Sequence, residues 1–300
     1  MGPTAVGKTE TAMYLARLFN GQIISADSMQ VYQGMDIGTA KPSAHQQKQV
    51  KHHMIDIRRP DQSFNAADYA REAGAAIRGL LDRGITPIVC GGTGLYINSL
   101  MDGFLFPAQG SNDDLRQVLY RRWEEDPQGL HRRLAAVDPT TAARLHPNDA
   151  RRVIRALEVH ERTGIPFSRW QMEGRGGQQF SGLWIGLTRD RQELYRRMDA
   201  RVDAMIDQGL MEEVKHLWQT YPQQPTALQA LGYKELVWYF QGWVTLSEAV
   251  YLLKRNTRRY GKRQLSWFRR DRRIHWFNLS EGEERHYQEQ IAELCRKLWA

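Results

Sequence analysis

With 300 residues, 41% of them hydrophobic, the chain is long enough to bury a sizeable core in one or two domains. No apolar run approaches the ~18 residues that a membrane span needs, no signal peptide precedes the first motif, and 9 Trp, 12 Tyr and 9 Phe argue against disorder. A net charge of +8 points toward polyanionic partners. The two distant cysteines, Cys90 and Cys295, fit neither a paired metal site nor a disulfide framework, so a reduced, cytoplasmic enzyme is expected.

The first feature along the chain is Gly2-Pro3-Thr4-Ala5-Val6-Gly7-Lys8-Thr9, which satisfies G-x-x-x-x-G-K-[ST] and runs into a helical pattern over 10–19. The glycines let successive N–H groups turn inward, and the helix N-terminus adds a favourable dipole. Lys8 supplies a positive charge for the outer phosphate, and the Thr9 hydroxyl is suited to ligate Mg²⁺. A polyphosphate binds here; the motif does not say which one. Such a loop is normally fed by a strand, yet this one begins at Gly2, so the first strand is read as missing from this chain. A fold without its central strand would leave unpaired backbone groups in the sheet.

Strands are predicted at 22–26, 54–57, 85–90, 183–188 and 273–279, with a second helix at 65–83. Strands alternating with helices give an α/β class: a P-loop NTPase-like core with a mostly parallel sheet. From 107 to 180 the texture is helical and Arg-rich, ending in a glycine cluster at 174–177. That stretch reads as an insertion domain. The core is then 1–106 with 181–300, helical over 190–253 apart from breaks at Pro222 and Pro225. Asp27 ends the 22–26 strand, where position alone leaves three roles open: metal ligand, general base or N-cap. Basic residues cluster at 116–133, 151–155, 189–201 and 254–273, the last interleaved with Tyr260, Trp267 and Phe268, a pattern that favours nucleic acid. Arg255, Arg259, Lys262 and Arg263 recur at helical spacing as one basic face.

The run Asp27-Ser28-Met29-Gln30-Val31-Tyr32, continuing through Gly34-Met35-Asp36-Ile37-Gly38-Thr39-Ala40-Lys41-Pro42, resembles the tRNA dimethylallyltransferase family. The likeness continues through His52-His53-Met54-Ile55-Asp56, Gly91-Gly92-Thr93-Gly94-Leu95-Tyr96 and His146-Pro147-Asn148-Asp149. It resumes at Gln229-Ala230-Leu231-Gly232-Tyr233-Lys234-Glu235 and Arg258-Arg259-Tyr260-Gly261-Lys262-Arg263-Gln264. Two departures stand out: Lys51 replaces a common proline, and the strand before the loop is absent. The zinc finger of eukaryotic relatives is also lacking, so the chain looks bacterial in type.

The resemblance implies that the loop, Gly2 to Thr9, holds the pyrophosphate of dimethylallyl pyrophosphate rather than ATP, with Thr4, Lys8 and Thr9 touching it or its Mg²⁺. Asp27 is implied as the base for the adenine amino group and Arg201 as the residue that helps neutralise the leaving group. Asp27, Ser28, Met29, Gln30, Thr93, Arg116, Arg151, Arg152, Val153, Ile154 and Arg155 match segments that touch tRNA. To these the basic 254–263 face adds Arg258, Arg259, Lys262 and Arg263. The expected partner is the anticodon stem-loop of a tRNA, with no membrane involvement; one hairpin needs only one subunit, so a monomer is expected. A P-loop kinase would explain residues 1–30 and leave the Arg-rich remainder unused. A nucleotide-regulated RNA-binding module would leave Asp27 without a purpose.

Overall fold

The opening glycine turn delivers the chain to α1 (Lys8–Leu18), which buries Thr11, Ala12, Met13, Leu15 and Ala16. In the computed structural model, residues 1–103, 113–173, 177, 179–221, 227–280 and 284–299 are described. Next come β1 (Gly21–Ala26), α2 (Ala44–Gln49), β2 (His52–His53), α3 (Ala66–Leu81), β3 (Thr86–Gly91) and α4 (Gly94–Met101). Helix α3 starts where Asn65 and Asp68 form a reciprocal capping box, and Tyr69, Ala73, Ile77 and Leu80 supply its buried face at helical spacing. Five helices follow: α5 (Asp113–Glu125), α6 (Pro127–Val137), α7 (Pro139–Ala142), α8 (Ala150–Thr163) and α9 (Phe167–Glu173). The last elements are β4 (Trp184–Thr188), α10 (Arg191–Asp207), α11 (Leu210–Thr220), α12 (Tyr233–Phe240), α13 (Leu246–Phe268), β5 (Ile274–Asn278) and α14 (Glu284–Trp299).

The chain divides into two units, Met1–Leu100 with Ser181–Ala300, and Met101–Phe180. The expected start of the insertion at 107, most of its closing glycine cluster, and the proline breaks at 222 and 225 lie outside the described residues. Among its described residues the first unit is α/β and all strand pairing is parallel, but in two sheets, β2-β1-β3 and β4-β5. Met1 lies beside β4: its N–H donates to Ile185 O at 2.7 Å, and Leu187 N–H donates to Met1 O at 2.8 Å, a parallel bridge opposite Gly186. Helix α1 lies against the first sheet through Ala12, Met13 and Ala16 on Ile23. Its other side joins Leu187, Leu194, Met198, Leu279 and Ile291 in a second apolar cluster that also takes Cys295.

One predicted strand is displaced. The chain pairs with β1 only at His52 and His53, not over 54–57, because Met54 and Asp56 are left-handed at φ 64° and 55° and cannot extend a ladder. Asp56 is turned instead to Lys41 Nζ, 2.6 Å away, which also contacts Asp36 at 2.5 Å.

The second unit is helical throughout its described residues. Leu119, Leu130, Leu134, Val153, Ile154 and Leu157 form its core, and Asp126 and Asp138 cap helices that begin with proline. Glu158 is fully buried in this unit, where Arg116 (3.0 Å), Arg155 (2.8 Å) and Arg162 (3.7 Å) surround its carboxylate. A buried carboxylate needs such partners, since removing them would leave an uncompensated charge.

Candidate active site

The phosphate loop is set by its own backbone and by the side chains that hold it from outside. Ala5 is left-handed at φ 62° and Gly7 at φ 114°, the latter a value that only glycine adopts freely. A Cβ on Gly2 would lie 2.5 Å from Leu187 O, so the chain passes β4 too closely for any side chain. The loop carbonyls are taken one after another. Lys8 Nζ donates to Pro3 O at 2.6 Å, Arg197 to Ala5 O at 3.0 Å, Arg189 to Val6 O at 3.0 Å and Thr11 Oγ1 to Gly7 O at 3.0 Å. With the carbonyls occupied, the first-turn N–H groups of α1, which have no intrahelical partner, remain for an anion.

A cavity of about 560 Å³ opens over this loop. Thr4 to Glu10 form one side, Asp27 and Gln30 another, Arg197 and Arg201 a third, and Thr39, Ala40, Pro42 and His52 close it. Burial pushes the Lys8 ammonium down to about 8, with Arg201 adding to the shift and Asp27 and Glu10 opposing it. Arg201 Nη1 lies 3.4 Å from Thr4 Oγ1; burial lowers its pKa, opposed by Asp27 and Glu10. Three cationic side chains therefore face a loop of amides. That arrangement suits a multiply charged anion.

Asp27 sits at the carboxyl end of β1, where ligands of parallel sheets bind. Its Oδ1 accepts from Met29 N–H at 2.9 Å, while the N–H of Ser28 donates to Thr93 Oγ1 at 3.1 Å. The turn Gly91-Gly92-Thr93-Gly94 is shaped by close packing. A Cβ at Gly91 would lie 2.2 Å from Ala26 O, one at Gly92 2.1 Å from Gln264 Nε2, and one at Gly94 2.2 Å from Trp267. This turn lets α13 dock and leaves Thr93 holding the backbone next to Asp27.

The wall at 39–42 is held by groups far apart in sequence. Glu213 accepts from the N–H groups of Asp36, Ile37 and Gly38 at 2.9, 2.7 and 3.1 Å and from Tyr233 Oη at 2.6 Å. A Cβ on Gly38 would meet the Tyr233 ring at 2.5 Å. Gln30 spends its amide on the same loop, donating to Thr39 O at 3.2 Å and accepting from Ser25 Oγ at 2.8 Å. Gln30 thus lines the cavity while its amide ties the strand end to the 39–42 wall.

The other residues expected at RNA fall into three groups: buried, ion-paired and exposed. Val153 and Ile154 are buried in the core of the second unit, because five successive helical residues cannot share one face. Arg116 and Arg155 serve Glu158, and Arg152 pairs with Asp149 at 3.1 Å; Arg151 is exposed. On α13, Arg258 points to Asp199 of α10 with both carboxylate oxygens within 2.7 Å. Arg259, Lys262 and Arg263 are exposed. His52 lines the cavity, and Arg197, Tyr260 and Gln264 join the site without having been singled out for it. The spacing of Arg197 to Arg201 and of Tyr260 to Gln264, each one helical turn, is the signal that marks these three positions.

Fold and site together define a P-loop protein whose loop shares one cavity with a carboxylate. A family model described as IPP transferase matches residues 30–271. The chain is 49% identical to the tRNA dimethylallyltransferase of Halothermothrix orenii, over 99% of this chain and 91% of that protein. It is 50% identical to that of Desulforudis audaxviator, over 93% and 91%. The crystal structure of the full-length tRNA isopentenylpyrophosphate transferase from Bacillus halodurans superposes with a TM-score of 0.74 at 42% identity, covering 99% of this chain and 94% of that one. A eukaryotic dimethylallyltransferase solved acting on tRNA gives 0.80 at 29% identity, covering 93% and 73%. This chain belongs to the tRNA dimethylallyltransferase family. No helix among the described residues is long and apolar enough to cross a membrane.

Proposed function

We propose that this chain transfers the dimethylallyl group of dimethylallyl pyrophosphate to N6 of the adenine 3′ to the anticodon, adenosine-37, in tRNAs reading codons that begin with U. The products are N6-isopentenyladenosine and pyrophosphate. The observation that carries this reading is that one cavity is lined by both the phosphate loop and Asp27. The C–O bond to pyrophosphate breaks as the adenine nitrogen forms a bond to the allylic carbon, and Asp27 takes the amino proton. Lys8, Arg201 and the loop amides receive the charge that develops on the leaving group. The adenine must leave its stack to enter, at a cost of a few kcal/mol, which is smaller for a loop nucleotide than for a paired one.

Mg²⁺ fits the donor set in one way. Among the described residues there is no group of three His, Cys, Asp or Glu side chains that could hold a metal ion. A cation that keeps several waters and binds through substrate phosphates needs little more from protein than the Thr9 hydroxyl, which lines the cavity. Bound there, it would neutralise pyrophosphate charge.

Incubation with labelled dimethylallyl pyrophosphate, Mg²⁺ and unmodified tRNA tests the proposal, with ATP replacing the prenyl donor in parallel. Label on an adenine beside the anticodon is expected. Consumption of ATP without labelled tRNA would instead make the chain a kinase.

The exposed face of α13 supplies a second expectation. Replacing Arg259, Lys262 and Arg263 together with glutamine should weaken tRNA binding and flatten the plot of log affinity against log salt by about 2–3 units of slope. An unchanged slope would assign that face to solvent.

A further inference from the structure

We infer that Gln264 is a positioning residue that fixes the pyrophosphate cradle relative to the Asp27 strand end, by cross-linking Thr4 N–H to Gly92 O through one buried amide. The inference rests on the reading above for the reaction, but not for the geometry. Gln264 is 6% exposed, an uncommon place for an amide unless both its ends are bonded. Both are: Oε1 accepts from Thr4 N–H at 2.9 Å, and Nε2 donates to Gly92 O at 3.0 Å. Thr4 belongs to the cradle. Gly92 precedes Thr93, whose hydroxyl holds Ser28 N–H beside Asp27 and whose own N–H donates to Ala26 O at 3.0 Å. Tyr260, one turn earlier on α13, lines the same cavity beside Gln264.

The same helix is packed so that this amide has little freedom. A Cβ on Gly261 would meet Met198 Cε at 2.2 Å and Pro3 Cβ at 3.7 Å, so α10, α13 and the start of the loop converge there. Trp267 Nε1 donates to Asn98 Oδ1 at 3.2 Å and fixes the following turn. Gln264 therefore sets the separation between the group that receives the leaving pyrophosphate and the group that receives the proton. Small errors in such a separation are costly: a displacement of about 1 Å can lower a rate by roughly 10²-fold.

Gln264→Leu, of similar size and without either bond, tests this. Pyrophosphate affinity, measured by calorimetry with Mg²⁺, should fall about tenfold, and the single-turnover rate with saturating substrates by about 10–100-fold. Affinity for tRNA should hold and the melting temperature should fall by no more than a few degrees, the cost of leaving Thr4 N–H and Gly92 O unpaired, a combination that a general structural role does not produce. Gly92→Ala attacks the same contact from the other side, because its Cβ would lie 2.1 Å from Gln264 Nε2. In a double-mutant cycle, Gly92→Ala should lower the rate on its own but cost little more when added to Gln264→Ala. An unchanged rate in Gln264→Leu, additive losses in the cycle, or parallel loss of tRNA binding and melting temperature would each overturn the assignment. Because pyrophosphate titration requires no prenyl transfer, a wild-type chain that fails to label tRNA sinks the functional reading alone. The Gln264 assignment then stands or falls on the titration.

Discussion

Replacing Asp27 with alanine is expected to lower prenyl transfer by about 10²–10⁴-fold, the usual contribution of a positioned general base, while tRNA affinity stays within about twofold. The carboxylate lies at the carboxyl end of β1, on the cavity that the phosphate loop also lines. It has a second occupation, because Oδ1 accepts Met29 N–H and shapes the turn that follows the strand. Asp27→Asn separates the two. An asparagine keeps a carbonyl oxygen for Met29 and loses the basic oxygen. If Asp27 works as the base, the asparagine and alanine variants are equally impaired in single-turnover transfer. Near-normal activity in Asp27→Asn would make the residue a turn former and leave the proton to another group.

Lys8→Met should produce the second large loss, about 10²–10³-fold in transfer, the range for removing one preorganised donor from a site of developing charge. Lys8 also predicts its own pH dependence. Its ammonium is held down at about 8, chiefly by burial. A bound anion favours the protonated form, so pyrophosphate affinity should be level below about pH 8 and weaken above it, by up to about tenfold per pH unit. Calorimetry between pH 7 and 9.5 measures this limb, and Lys8→Met should abolish it. In the ligand-free protein the sign reverses. Between about 8 and the ordinary lysine value of 10.5, the unfolded chain binds more protons at this residue than the folded one. The Lys8 contribution to stability therefore rises with pH across that window. A pyrophosphate affinity indifferent to pH above 8 in the wild type would remove Lys8 from the contact.

The sequence by itself determined the features that depend on neighbouring residues. The spacing Gly2 to Thr9 defined the phosphate loop, since a loop of this kind needs glycine at set positions and a helix immediately after. Apolar spacing located α1 and α3, and β-rich runs located β1, β3, β4 and β5 to within two residues at either end. Asp27 was legible as a carboxylate at a strand end, and the ordered motifs pointed to the family.

Tertiary structure decided what each polar side chain was committed to. Arg258 and Arg259 are adjacent in sequence, yet one is tied to Asp199 and the other is exposed, because α10 packs against only one side of α13. Arg116 and Arg155 match segments that touch tRNA, and the fold gives both a second commitment in the buried Glu158 carboxylate. The sequence names no partner for Gln30, Glu213 or Gln264; in the fold they hold the cavity loop and the phosphate loop through partners 9, 177 and 260 residues away. Local pattern fixes secondary structure because its hydrogen bonds and side-chain spacing are local. A buried polar group must find its partner wherever the fold puts one, and separation along the chain carries no record of that.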